Sequence, residues 1–144
     1  MKKQTLLGTL LGLSLLSSAT VAHIEQSEPL QSLRQSYFAL LGMTFGPMGD
    51  MVKGKIEWDN ALFTTWANDL NHAAQFGVER GFAPGSDKGM TRAKPNIWSN
   101  MDDFRSKLDN FRAAAASLAD IAAEGDPAAS REPVSYTHLT LPTT

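Results

Sequence analysis

The sequence predicts an all-α protein, an antiparallel four-helix bundle whose fourth helix is cut short. Three observations carry that expectation. Apolar residues recur at i, i+3 and i+4 over three long segments, 28–52, 59–79 and 100–124. No window alternates apolar and polar residues with the period of two that a half-buried strand needs. A further helix start, Asp126-Pro127, follows the third segment and is halted by Pro133. Long amphipathic helices joined by loops bury their stripes against one another, and a bundle is the simplest way to do so.

Each element has its own warrant. In 28–52 the stripe is Phe38, Leu41, Phe45, Met48 and Val52, extended toward the start by Leu30, Leu33 and Tyr37. Ser27 is placed to cap it, and Pro29 suits the first turn. Gly46-Pro47 lies inside the stripe; a proline there removes one hydrogen bond and crowds the carbonyl of Met43, so a kink or break is expected. Residues 53–58 connect to the second helix, 59–79. It is capped by Asp59, and its apolar face is Leu62, Phe63, Trp66, Leu70, Ala73, Ala74 and Phe76. Residues 80–98 form a long loop rich in glycine and proline. The third helix, 100–124, has Ser99 or Asn100 as its cap and Asp102 and Asp103 at its positive end. Phe104, Leu108, Phe111, Ala115, Leu118 and Ala122 fall on one face, and Gly125 ends it. The fourth helix extends only to Arg131. Residues 133–144, PVSYTHLTLPTT, have poor helix propensity and continue no stripe. The bundle domain is therefore expected over 23–131. Residues 132–144 are expected to be a foreign or disordered tail, of frameshift or adaptor origin, that leaves an apolar seam uncovered.

Residues 1–22 carry Lys2 and Lys3, an apolar run from Leu6 to Leu16, and Thr20-Val21-Ala22 at the end. This is the pattern of a secretory signal, and the run is too short to span a bilayer. An exported, periplasmic protein is expected, with no membrane segment after signal removal. The net charge is −2 and becomes more negative once Lys2 and Lys3 are removed, which argues against a nucleic-acid partner. The absence of cysteine excludes a disulfide framework, a zinc–thiolate site and a thioether-linked cofactor within these 144 residues.

No constellation for catalysis is present. The three histidines, His23, His72 and His138, lie in unrelated contexts, and neither His-x-x-x-His nor a glycine-rich phosphate loop occurs. The protein is not expected to be an enzyme. Arg34 and Gln35 precede the aromatic Phe38 by one turn, a grouping that suits a carboxylated apolar ligand, although a surface Arg-Gln pair is the commoner case for such residues. Phe82, Thr91, Arg92 and Trp98 from the long loop are placed to close such a pocket; Phe82 and Trp98 also read as plain core.

The runs RQSYFALLGMTFGPMGDMVKGK, GFAPGSDKGMTRAKPNIWSN and DDFRSKLDNFRAAAASLADIAAEGD resemble, in that order, the cytochrome c prime family. The resemblance implies an exported bundle of the cytochrome c prime type holding one haem c. Its iron would have a histidine below and a crowded apolar face above, and the protein would serve electron transfer and the binding of small gases such as NO and CO. By resemblance, Arg34 and Gln35 lie near the haem propionates, Phe38 stands over the open iron face, Phe82 lies on that same side, and Thr91 and Arg92 lie near a propionate. The partners implied are the gases and an unknown redox protein, with a possible homodimer. The family attaches haem through Cys-x-x-Cys-His in its fourth helix. This chain lacks the attachment cysteines and the axial histidine of that motif, so it is expected to be truncated before it; His138 does not belong to the motif. Two alternatives stand beside this reading. One is a cofactor-free exported helical interaction or chaperone-like protein. The other is a bundle holding haem non-covalently, for which the core offers Met43 and Met48 but no inward histidine.

Overall fold

The computed structural model describes residues 28–89 and 91–140; the expected export signal, Ser27 and residues 141–144 lie outside them. Among the described residues every regular element is helical: α1 (Pro29–Val52), α2 (Asn60–Ala74), a 3₁₀ turn (Val78–Phe82), α3 (Asn96–Ser99), α4 (Met101–Glu124) and α5 (Pro127–Thr140). Helix α4 packs against both α2 and α5, and α1 packs against α2, α5 and the 3₁₀ turn, which closes the bundle. No helix among these residues is long and apolar enough to cross a membrane.

The core is where the stripes place it. All six residues of the α4 stripe are buried. Leu41 and Met48 from α1 and Phe63 and Leu70 from α2 meet them, each at most 2% exposed. Burying a large apolar side chain contributes about 1.5–3 kcal/mol, so a few such residues weigh as much as a domain's net stability of about 5–15 kcal/mol. On α2 the face is turned slightly from the expected one. Ala67 is wholly buried, while Leu62 and Phe76 are 40% and 42% exposed. A small residue at the crossing lets the helices approach closely, and Phe76 falls beyond the helix end. The helix stops at Ala74 instead of residue 79 because Arg112 donates to the carbonyls of Ala74 and Phe76, at 3.2 and 3.4 Å, and Gly77 then opens the 3₁₀ turn.

Asp59 caps α2 as expected, its Oδ1 accepting the Leu62 N–H at 2.9 Å. Neither expected cap serves α4: Asn100 occupies the N-cap position without a side-chain cap bond, and the Ser99 hydroxyl donates to Asn96 O. Asp102 and Asp103 supply negative charge to the first turn instead, paired with Arg105 and Lys107. Gly125 ends α4 at φ +74°, a left-handed conformation that favours glycine.

Two expectations are corrected. Helix α1 runs without a break through Pro47. The carbonyl that Pro47 deprives belongs to Met43, a residue 74% exposed, so the lost bond falls on the solvent side of the helix and leaves no buried acceptor unpaired. The disordered tail expected as one alternative for 132–144 is not seen over 132–140, which continue α5 to Thr140. Ser130, Val134 and Thr137 are buried, Thr137 Oγ1 donates to Ala114 O at 3.4 Å, and Arg131 Nη1 donates to Val52 O at 2.7 Å. Weak propensity is overridden by the apolar seam between α1 and α4, which rewards a helix laid along it. Pro133 is tolerated as Pro47 is, since Ala129, whose carbonyl loses its partner, is exposed.

Phe111, wholly buried at the centre of α4, anchors this packing. Phe111→Ala is expected to cost about 3–5 kcal/mol in urea unfolding, whereas Leu62→Ala on the exposed side of α2 is expected to change stability by about 0.5 kcal/mol or less.

Candidate functional site

Arg34 projects from α1 toward the 3₁₀ turn and the loop after it. Although charged, it is only 3% exposed. Its Nη1 donates to Gly81 O and, at 3.3 Å, to Ser86 Oγ; its Nη2 donates to Ser86 O at 3.0 Å. The guanidinium also lies over two rings, 5.2 Å from the centre of Phe82 and 5.4 Å from that of Trp98. Burial pushes the Arg34 pKa below its usual value, opposed by the attraction of Glu28. Arginine nevertheless remains charged under any ordinary condition. Its acceptors are neutral oxygens, so the site holds a fixed positive charge with no carboxylate in contact with it among the described residues.

Ser86 organises this group. Its hydroxyl accepts from Arg34 and, at 3.1 Å, from Trp98 Nε1, and donates to Gly81 O at 3.3 Å; Trp98 Nε1 also reaches Ala83 O at 3.2 Å. Gly81 permits the approach: a Cβ there would stand 3.0 Å from Arg34 Cγ and 3.4 Å from Leu30 O. Phe82 is 1% exposed and packs on Phe104, ring centres 4.6 Å apart, so the aromatic that meets Arg34 also packs into the core beside α4.

A second buried polar group lies one turn along α1. Tyr37 is 4% exposed, and its hydroxyl has no hydrogen-bond partner. The ring stacks on Phe76 at 6.1 Å and meets the edge of Phe38 at 5.2 Å. Burial pushes its phenol up to about 12, with Arg112 drawing it down and Glu79 driving it up.

The structure brings Arg34 and Phe82 together, and joins Ser86 and Trp98 to them. Phe38 is half-buried beside Tyr37. Thr91 is half-buried, its Oγ1 accepting the Ala93 N–H at 3.1 Å in a local turn. Gln35 and Arg92 are exposed, and neither joins the hydrogen bonds or ring contacts around Arg34. Ser86 and Tyr37 escaped the sequence reading. A lone serine in a Gly/Pro-rich loop has no periodicity, and Tyr37 reads only as an extension of the apolar stripe.

The donor set does not fit a covalently held haem. No thiol exists in the 144 residues. His72 is exposed, and His138 is exposed with its ring stacked on Phe45 at 5.7 Å. Among the described residues no three His, Cys, Asp or Glu side chains gather as metal ligands would.

Two predictions follow from this geometry. Ser86→Ala removes an acceptor shared by two buried donors and is expected to cost about 1–3 kcal/mol, read by urea unfolding together with faster exchange of the Trp98 indole proton. For Tyr37, the folded protein keeps the phenol protonated where the unfolded chain ionises it. The stability present below pH 10 is therefore lost as pH rises toward 12, by about 2–3 kcal/mol. Tyr37→Phe is expected to abolish that loss, seen as a flatter unfolding free energy between these pH values.

Comparison with known proteins places the chain. The model of the cytochrome c′ family matches residues 30–138. The cytochrome c′ of Cereibacter sphaeroides is 32% identical over 126 residues, covering 85% of this chain and 82% of that protein. Among solved structures, cytochrome c prime from Shewanella frigidimarina superposes with a TM-score of 0.75 at 35% identity, over 82% of this chain and 91% of that one. The nitric oxide complex of a variant cytochrome c prime from Alcaligenes xylosoxidans gives a TM-score of 0.71 at 26% identity, over the same shares of the two chains.

Proposed function

This chain belongs to the cytochrome c′ family, and from that premise we propose that it serves as the bundle of an exported, periplasmic haem protein for electron transfer and the binding of small gases, NO and CO among them. The observation that carries the reading is the family match across residues 30–138, supported by a relative solved as a nitric oxide complex. No enzymatic turnover is part of it. The first 22 residues act as the export signal, and the bundle domain begins at residue 23. Phe38 on α1 is the residue assigned to the gas-facing side, and Phe82 is assigned to the same side. Arg34 supplies the buried positive charge, and Gln35, Thr91 and Arg92 are the polar residues assigned to the edge of the pocket. A redox protein and a second copy of the chain are its proposed partners.

The family implies haem c, and these 144 residues have no thiol to bond it. In this reading residues 132–144, which the family match enters only as far as 138, are of foreign origin and stand in place of the attachment motif. A second reading is favoured by the same lack of cysteine: a cofactor-free helical interaction protein that keeps only the fold.

The two readings differ in one experiment. The chain as it stands is expected to carry no haem that survives acid–acetone extraction. A chain in which residues 132–144 are replaced by a helix bearing Cys-x-x-Cys-His, expressed with haem-attachment machinery, is expected to retain its Soret band after extraction. In that grafted chain Phe38→Ala is expected to speed carbon monoxide binding, measured by stopped flow. A grafted chain that folds but takes up no haem would favour the cofactor-free reading, and unchanged rates would remove Phe38 from the gas-facing side.

A further inference from the structure

We propose that Lys88, Arg92 and Lys94 form a docking surface for an acidic protein, the redox partner of the reading above, on which this proposal rests. Of the other exposed cations among the described residues, Lys53 at the end of α1 alone has no partner for its side chain. Lys55 pairs with Asp50, Arg105 with Asp102, Lys107 with Asp103, and Arg112 with Glu79 and Asp109. Arg131 donates to Val52 O, and Arg80 donates to Gly77 O and lies over the Phe76 ring. Lys88, Arg92 and Lys94 are all exposed and have no ion-pair partner among the described residues. They fall within seven positions of one another in a chain of net charge −2. The acids near them are Asp87 on the loop itself and Glu28, whose Cγ would lie 3.7 Å from a Cβ at Gly89; they offset part of the charge of the three cations and leave the loop positive. Positive charge left unneutralised on one loop of an acidic protein gives a local potential that steers an oppositely charged partner.

The loop is also a fixed mount. Ser86 holds one end through Arg34 and Gly81, while the buried Ile97 and the Trp98 indole hold the other. Between them Gly89, at φ +80°, lies so close to α1 that a Cβ would stand 2.5 Å from Gln31 Oε1. The three cations are therefore displayed beside the Arg34–Phe82 cluster, the part of the bundle assigned to the site. Lys88, Arg92 and Lys94 stand with no exposed apolar anchor beside them among the described loop residues, so the surface suits a brief, salt-sensitive encounter and not a permanent interface. That is the character required of electron exchange. A nucleic acid would meet the negative charge of the rest of the chain.

The test uses the full chain, isotopically labelled, titrated with poly-L-glutamate as the acidic probe and followed by amide chemical shifts. Shifts are expected over residues 86–94 and are expected to vanish in molar salt, where screening acts within about 3 Å. Lys88→Glu/Lys94→Glu is expected to weaken binding about tenfold or more. The charge-matched Lys53→Glu/Lys55→Glu, at the far end of α1, is expected to leave binding within about twofold. Equal loss in both variants, or shifts spread over the whole surface, overturns the proposal. Binding to phosphatidylglycerol vesicles in preference to poly-L-glutamate also overturns it, in favour of a membrane. Covalent haem uptake by the grafted chain is scored separately and is expected to be unchanged by Lys88→Glu/Lys94→Glu. If the grafted chain takes up no haem while the loop still binds poly-L-glutamate, the haem reading fails and acidic docking stands without its redox role.

Discussion

The buried guanidinium of Arg34 is the interaction on which the site end of the bundle depends. A charge taken out of water costs several kcal/mol unless hydrogen bonds replace its hydration. Here the replacement comes from the 3₁₀ turn and the loop after it: Gly81 O, Ser86 Oγ and Ser86 O, with the adjacent rings of Phe82 and Trp98, 5.5 Å apart, beside the guanidinium. The loop is held because the charge must be satisfied, and the charge is tolerated because the loop is held. Phe82 extends this dependence into the core through Phe104, the first residue of the α4 stripe. One side chain on α1 thereby joins the long loop to the packing of a helix it does not directly contact.

The other end of α1 is tied by α5. Arg131 reaches Val52 O and the ring of His138 lies on Phe45. Both steps are seven residues, two helical turns, taken in opposite directions along the two helices. The contacts therefore lie on one face of each helix, in an antiparallel register that places Val134 and Thr137 against the core between them. Arg131 also brings a positive charge to the C-terminal end of α1, where the free carbonyls of a helix carry partial negative charge.

Membership of the cytochrome c′ family and the chemistry of this chain pull in different directions. The bundle, the loop and the order of the helices are those of the family. The donor set for covalent haem is absent from the sequence, and the α5 positions present carry Thr137 and His138, one donating to a backbone carbonyl and the other stacked on a phenyl ring. A fold of this kind rests on apolar stripes distributed over four helices, whereas a cofactor site rests on a few residues at fixed positions. The first survives changes that remove the second.

Periodicity alone determined the three long helices, the buried α4 stripe from Phe104 to Ala122, the Asp59 cap and the Gly125 stop, because each is set by neighbours three or four residues away. The family resemblance lay in the same local runs and named Arg34 and Phe82 as residues of one site. What they do there was not legible. That Arg34 is buried, that Ser86 binds it, and that Tyr37 hides a hydroxyl without a partner all depend on segments about fifty residues apart meeting in space. The same holds for Pro47 inside α1 and for residues 132–140 in α5. Local propensity argues against helix at both places, and only the exposure of Met43 and the seam between α1 and α4 decide for it. A side chain's neighbours along the chain are written in the sequence, but its desolvation and its hydrogen-bond partners come from packing.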